Sequence, residues 1–147
     1  MAGFQQQPGE VRWRLHLASP PEVVYEALAT DEGRAAFWAE RAPERDGAIE
    51  FHILNYPVTA GRILDRRPAR RFALEYFGTV VTFDLQPDGE GGTDLSLVAE
   101  VPDESSRMEF AAGWVSVLLA MKAAVDFGVD LRNHDAQRSW SHGYADN

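Results

Sequence analysis

The chain has no cysteine, and that absence alone excludes several kinds of chemistry. Among its 147 residues are four histidines and three methionines, but no thiol. Disulfide bonds, thiolate metal sites and a cysteine nucleophile are therefore excluded. Stability must rest on a packed core, and a composition of 45% hydrophobic and 11% aromatic residues is sufficient to build one.

Positive charge is also scarce. Lys122 is the only lysine among 14 basic residues, and 23 acidic residues bring the net charge to −9. Binding to a phosphate backbone needs concentrated positive charge, so nucleic acid is not expected as a partner. The one basic run, at residues 62–71, is interpreted as a solvated turn between strands.

The sequence shows no sign of export or of membrane insertion. Its N-terminus lacks a basic segment followed by an apolar run, which is the pattern of a secretory signal. No apolar stretch is judged long enough to span a bilayer. We therefore expect a soluble, cytoplasmic protein.

Alternating hydrophobicity predicts six strands, and two short helices are predicted after the first of them. The strands are expected at residues 11–17, 48–54, 58–64, 71–77, 79–86 and 93–101. The short helices are expected at residues 20–28 and 30–38. Ser19 with Glu22, and Ser106 with Glu109, match the capping box that opens a helix.

The longest periodic pattern lies near the C-terminus and predicts a helix over residues 106–132. Its apolar positions are Met108, Phe110, Trp114, Val117, Leu118, Met121, Val125 and Val129. Gly128 is expected to weaken the last turns, and Asn133 to end the helix. We expect a flexible arm at residues 1–9, one domain at 10–133 and a polar tail at 134–147, whose Trp140 and Tyr144 could pack back.

Several stretches carry a resemblance to a known superfamily. Residues 18–28 (ASPPEVVYEAL) resemble the opening pattern of SRPBCC/START-like proteins, and most closely that of homologues of the activator of the heat-shock-protein-90 ATPase. The pair Phe37-Trp38, the strand–loop–strand pattern at 80–97 and the pair Gly113-Trp114 fit the same proteins. The match covers residues 10–132. It implies an α+β helix-grip fold, in which a curved antiparallel sheet of about six strands surrounds a long C-terminal helix and can leave a cavity beside it.

No catalytic or metal-binding pattern emerges from the residues. The four histidines are His16, His52, His134 and His142. None has a Gly-x-Ser-x-Gly elbow nearby or the spacing of paired metal ligands. His52 and Glu50, with Glu75 or Asp84 across the sheet, come nearest to a metal site and are interpreted as a polar face. We assign no catalytic residue, no metal and no cofactor.

The resemblance and the aromatic residues together favour the non-enzymatic binding of a small hydrophobic or aromatic molecule. The predicted ligand-binding residues are Phe37, Trp38, Phe51, His52, Tyr76, Trp114, Leu118 and Met121. Two alternatives stay open. One is a polyketide-cyclase- or hydrolase-like enzyme, for which His52, Tyr56, Glu75 and Tyr76 are the acid–base candidates. The other is a module that contacts a chaperone, as the heat-shock-protein-90 ATPase activator does. A homodimer is also possible.

Overall fold

A single antiparallel sheet and a long helix dominate the computed structural model, which describes residues 7–147. The strands are β1 Glu10–Leu17, β2 Glu44–Arg45, β3 Ala48–Phe51, β4 Thr59–Arg67, β5 Arg71–Tyr76, β6 Thr79–Pro87 and β7 Thr93–Glu100. Their order across the sheet is β1-β7-β6-β5-β4-β3-β2. The predicted helix-grip fold is therefore confirmed. The seventh strand, β2, has only two residues, too few for an alternating pattern to show in the sequence.

One face of the sheet forms the core, as the alternation in its central strands predicts. Val81, Phe83 and Leu85 of β6 are buried, while residues between them are more exposed. Strand β7 buries Leu95 and Leu97 in the same way. Because successive side chains of a strand point to opposite faces, this pattern leaves one face for packing and the other for water.

The helices cover the buried face. Helices α1 (Pro21–Ala29) and α2 (Asp31–Ala35) connect β1 to β2, and α3 (Arg107–Phe127) follows β7. Helix α3 buries Trp114, Leu118 and Met121, which lie on one face at i, i+4 and i+7. With the 3-10 turn before it, this helix is long and apolar enough to cross a membrane by length and composition, contrary to our expectation. Length and composition alone are weak evidence for a membrane span, because the core helix of a globular domain has the same properties.

Helix α3 ends earlier than predicted. It stops at Phe127, and Gly128 adopts a left-handed conformation with φ of 66°. The N–H of Gly128 donates to the Ala124 carbonyl, and the N–H of Val129 donates to the Ala123 carbonyl. This pattern terminates a helix at a glycine, because glycine has no Cβ to oppose positive φ. The predicted extension to residue 132 is therefore wrong.

Neither predicted capping box forms. The cap position of α1 is Pro20, and Ser19 instead bonds to Asp126 at the far end of α3. Ser106 makes no side-chain cap to α3. The Asp103 carboxylate caps the preceding 3-10 turn, accepting from the Ser106 N–H at 3.0 Å.

The segments at both ends of the described range, residues 7–147, lie against the domain. Residues 1–6 of the predicted arm are outside the described residues, while Gln7 and Gly9 accept hydrogen bonds from Arg107 and Val101. Residues 128–147, which we call the C-terminal strap, run back across the fold. Arg132 donates to the carbonyls of Ala35 and Ala39 at 2.6 and 2.7 Å.

The basic run lies in β4 and in the turn that follows it. Strand β4 continues to Arg67 through an irregularity between Ile63 and Asp65, so the break predicted at residue 65 is wrong. Arg66 pairs with Glu44 at 2.6 Å, and Arg71 pairs with Asp84 at 2.7 Å. These two arginine charges are thus balanced locally on the surface of the sheet.

Candidate ligand-binding site

Six aromatic side chains meet between α3 and the sheet, and we call them the aromatic cluster. They are Phe37, Trp38, Phe51, Tyr76, Phe83 and Trp114. Trp38 lies at the centre, and its ring centroid is 4.9 to 6.0 Å from those of Phe51, Tyr76, Phe83, Trp114 and Phe37. Rings at these separations attract one another beyond simple area burial, by about 0.5–1.5 kcal/mol per pair. The cluster is therefore a mutually packed unit.

A buried arginine positions the two rings that follow α2. The Arg34 guanidinium is fully buried and donates to the carbonyls of Ala42 and Leu28 and to the Asp31 carboxylate. The Arg34 carbonyl accepts from the N–H of Trp38 at 2.8 Å. Burial lowers the pKa of Arg34, and the nearby Asp31 carboxylate partly restores it. Sequence reasoning missed this residue, since nothing in the pattern distinguishes it from a surface arginine.

The indole N–H of Trp38 is the unusual polar group of the cluster. Trp38 is 5% exposed, and its Nε1 makes no hydrogen bond to any group within residues 7–147. It lies close enough to the Tyr76 hydroxyl to affect the pKa of that group, but outside hydrogen-bond geometry. A buried donor of this kind costs about 1–3 kcal/mol when unpaired.

The Tyr76 hydroxyl is the second polar group on the same side of the sheet. Burial raises the pKa of Tyr76, and the neighbouring Trp38 offsets only part of that rise. The phenol therefore stays protonated throughout the physiological pH range. It can donate or accept a hydrogen bond, but it cannot serve as a base at neutral pH.

His52 does not join the aromatic cluster. It follows Phe51 at the end of β3, so its side chain lies on the opposite face of the strand. There its Nε2 is 3.7 Å from Glu50 Oε1, too far for a hydrogen bond, and it is buried without another partner among the described residues. The polar pair His52 and Glu50 was expected on one face, and the structure places them there.

The predicted ligand-binding set is thus divided by the fold. Five of its residues meet in the aromatic cluster: Phe37, Trp38, Phe51, Tyr76 and Trp114. Leu118 and Met121 are buried further along the same face of α3. Phe83 belongs to the cluster but was not among the predicted residues, although its place in an alternating strand marks it as buried.

The cluster reaches the surface through two further rings, Tyr56 and Phe77, which we call the outer pair. The Phe77 ring meets Tyr76 edge-on at 4.8 Å and Tyr56 at 6.1 Å. Phe77 is 41% exposed. Burial raises the pKa of Tyr56, and the negative charge of Glu109 on α3 adds to the rise. The outer pair therefore lies near the first turns of α3.

The C-terminal strap borders the outer pair. Asn55, next to Tyr56, donates to the Ala136 carbonyl at 2.6 Å and to Ser139 Oγ at 2.8 Å. Trp140 donates to Glu109 at 3.1 Å. The β3–β4 loop, the start of α3 and the strap are thus joined around the outer pair, an arrangement that the polar composition of the strap did not indicate.

A serine and a histidine also meet within the strap. Ser139 Oγ lies 2.9 Å from His142 Nδ1 and accepts from Asn55. Ser139 is 1% exposed, its hydroxyl is already bonded to Asn55, and its contact with His142 spans a single 3-10 turn. We therefore interpret the pair as structural. In residues 7–147 no three His, Asp or Glu side chains form a group that could hold a metal ion.

Comparison with known proteins identifies the fold. No protein-family model and no curated protein matches the sequence. Among solved structures, CV1439 of Chromobacterium violaceum is 28% identical, covering 81% of this chain and 99% of its own, with a TM-score of 0.69. The Aha1 dimer of Colwellia psychrerythraea is 20% identical over 81% of this chain and 97% of its own, with a TM-score of 0.72. CalU16 of Micromonospora echinospora is 24% identical over 74% of this chain and 71% of its own, with a TM-score of 0.59.

These structures and the topology above define the class. The chain has the helix-grip fold of SRPBCC/START-like proteins, and its resemblance to homologues of the heat-shock-protein-90 ATPase activator is confirmed in the fold. Fold alone does not assign function, because one scaffold of this kind carries many activities. The function must be argued from the residues of the site.

Proposed function

We propose that this protein binds a small, uncharged hydrophobic or aromatic molecule at the aromatic cluster, without converting it. The buried N–H of Trp38 carries the proposal. Native proteins provide partners for nearly all buried donors, and an exception calls for a specific reason. An acceptor oxygen on a ligand, placed beside Nε1, would supply the missing partner.

The composition of the cluster sets the chemistry of the ligand. Its members are rings, and their polar groups are the indole N–H groups of Trp38 and Trp114 and the Tyr76 hydroxyl. Ligand sites are usually apolar with a few polar groups that fix orientation. A planar, uncharged molecule with one carbonyl or ether oxygen fits this arrangement. A carboxylate would meet no cationic side chain among the six cluster residues.

The enzyme alternative is less well supported. An acid–base mechanism needs a titratable group within reach of the substrate, with a pKa near the working pH. Tyr76 has a raised pKa and stays protonated. Of the other three candidates from the sequence, Tyr56 also has a raised pKa. His52 lies on the opposite face of β3 from Phe51, and Glu75 lies on the opposite face of β5 from Tyr76. Binding without turnover therefore agrees best with the arrangement of these side chains.

The chaperone alternative depends on likeness to Aha1, which is a likeness of fold. That neighbour is described as a dimer, and the same state in this chain stays a prediction. Sedimentation equilibrium of the purified protein would measure it directly.

A pair of matched probes tests the ligand proposal. The first probe, 2-acetonaphthone, carries one carbonyl oxygen, whereas 2-ethylnaphthalene has nearly the same shape and no acceptor. Equilibrium dialysis gives both dissociation constants without relying on protein fluorescence. The wild-type protein should bind 2-acetonaphthone about five- to ten-fold more tightly, the value of one neutral hydrogen bond to a buried donor.

Two variants assign that preference to a residue. Trp38→Phe keeps an aromatic ring but removes the N–H, so it should bind the two probes equally. Trp140→Phe removes an indole N–H that already donates to Glu109, and should keep the wild-type preference. Failure of the wild-type protein to bind either probe would contradict the proposal, and so would an unchanged preference for 2-acetonaphthone in Trp38→Phe.

A further inference from the structure

The turn between β5 and β6 contains an unfavourable residue. Phe77 and Gly78 connect Tyr76 to Thr79, the last paired residues of the two strands. Both turn residues have positive φ, 49° for Phe77 and 75° for Gly78. Two-residue hairpin turns with this signature favour asparagine or aspartate followed by glycine. A bulky side chain at positive φ is an outlier.

The Phe77 ring contributes too little to the stability of the fold to explain why a phenylalanine occupies this turn. The left-handed conformation costs a residue with a Cβ roughly a factor of ten in the folding equilibrium constant. The Phe77 ring is 41% exposed, and among the aromatic rings of residues 7–147 it meets Tyr76 and Tyr56 only. Asparagine would satisfy the turn without exposing an apolar ring to water. Residues kept under backbone strain are found most often at functional sites.

The position of Phe77 suggests what the ring does. Tyr76, its partner at 4.8 Å, lies 5.4 Å from Trp38 and 5.2 Å from Trp114. Phe77 is therefore one ring away from the unpartnered N–H of Trp38. It is also the most exposed ring in this connected series, which runs from the buried Phe83 to the surface.

We infer that Phe77 is the outer contact of the ligand site, and that its ring stacks on the part of the ligand that projects from the aromatic cluster. This inference rests on the proposed function. The strained turn holds the ring edge-on to Tyr76, where a ligand anchored at Trp38 emerges. The ligand is thus a molecule with a fused or extended aromatic system, in contact with Trp38 at one end and Phe77 at the other.

Substitutions at Phe77 separate binding from folding. Phe77→Asn removes the ring and supplies the residue that the turn favours, so the urea midpoint should rise while affinity for 2-acetonaphthone falls. The loss should be about five- to ten-fold, the value of one aromatic contact. Phe77→Leu keeps an apolar side chain but no ring, and should lose affinity without a gain in stability.

Phe127→Asn is the matched control. Phe127 is 71% exposed at the end of α3, about 27 Å along the helix axis from Glu109 at 1.5 Å per residue. This variant should bind the probe within two-fold of the wild-type protein. All three variants are made in the full chain. Their affinity for the probe is measured by equilibrium dialysis and their stability by urea unfolding.

The outcomes distinguish this inference from the proposed function. If the wild-type protein binds the probe and Trp38→Phe weakens binding, but both Phe77 variants bind normally, the inference is wrong and the proposed function stands. If the wild-type protein does not bind, the proposed function fails first. Lower affinity together with a lower urea midpoint in both variants would assign Phe77 a structural role and overturn the inference.

Discussion

Replacing Asp126 by asparagine should reveal how α3 is anchored to the rest of the fold. The Asp126 side chain is 2% exposed, near the end of α3. Its Oδ1 accepts from the Ser19 N–H at 3.1 Å and from Ser19 Oγ at 2.8 Å. Its Oδ2 accepts from the Ala18 N–H at 2.9 Å and from Lys122 Nζ at 3.2 Å. One carboxylate thus joins α3 to the loop between β1 and α1.

The expected loss follows from the two oxygens. Asparagine keeps an oxygen for Ser19 but places an NH2 group where Oδ2 stood, facing the donors of Ala18 and Lys122. Hydrogen bonds to a charged group contribute about 1.5–3 kcal/mol each, and a buried donor without an acceptor adds a penalty. Lys122 is partly exposed, so water replaces much of its share. We expect the free energy of unfolding to fall by about 3 kcal/mol.

Urea unfolding followed by tryptophan fluorescence measures this loss. With an m-value of about 2 kcal/mol per molar, the midpoint should fall by about 1.5 M. Glu22→Ala is the control, because Ser19 bonds to Asp126 and Glu22 completes no capping box. That variant should change the free energy of unfolding by less than about 0.5 kcal/mol.

The pH dependence provides an independent test. Burial alone would raise the pKa of Asp126, but hydrogen bonds from Ala18, Ser19 and Lys122 outweigh it and lower the pKa. The carboxylate therefore stabilises the fold above the unfolded pKa of about 4, and this contribution is lost as pH falls through the folded value. The difference between wild type and Asp126→Asn should narrow in acid. A midpoint shift below about 0.3 M at pH 7 would refute the reasoning.

Two further predictions test other parts of the fold. His134 contacts Asp130 at 2.7 Å and Glu40 at 2.7 Å, and these hydrogen bonds raise its pKa. The stabilising effect of His134 should be complete below its unfolded pKa of about 6.5 and should be lost as pH rises through the folded value. His134→Asn should therefore lower the free energy of unfolding by about 1 kcal/mol at pH 5.5 and by less at pH 9. A loss of stability that grows with pH would contradict this. In Gly61→Ala the new Cβ would lie 1.9 Å from a carbonyl oxygen of β5, so unfolding should become easier by about 2–3 kcal/mol. In Gly113→Ala the nearest atom is 3.6 Å away and helix propensity improves, so the control should gain about 0.5–1 kcal/mol; equal effects in both variants would be inconsistent with the packing described.

The fold was predictable because it depends on periodic patterns that act locally. Alternation along β6 and β7 identified strands with one buried face, and the spacing of Trp114, Leu118 and Met121 identified the inner face of α3. A sheet wrapped on a helix buries all of these faces together. Strand β2 escaped prediction because two residues carry no period.

Local motifs were less reliable where a distant residue offered a better partner. Ser19 and Glu22 have the spacing of a capping box, yet the Ser19 hydroxyl donates to Asp126, 107 positions away in the sequence. Sequence spacing cannot reveal such a competitor. The position of the C-terminal strap could not be predicted for the same reason, because its anchors, Asn55 and Glu109, lie on elements far from it in the chain.

For the candidate site, the sequence indicated which aromatic residues were apolar enough to be buried, but not which of them meet. Phe51 and His52 are adjacent, and the pleat of β3 sends their side chains to opposite faces. Phe83 entered the cluster because β6 runs beside β5.

The amino-acid sequence by itself determined the class of fold, because hydrophobic period and turn residues act over short distances and survive in any arrangement of the elements. Only the tertiary structure decided that Trp38 lies at the centre of the rings with an unpaired N–H, and that Phe77 holds the outer position in a strained turn. Those properties depend on which distant atoms come within a few ångströms of each other, and that proximity exists only once the chain has folded.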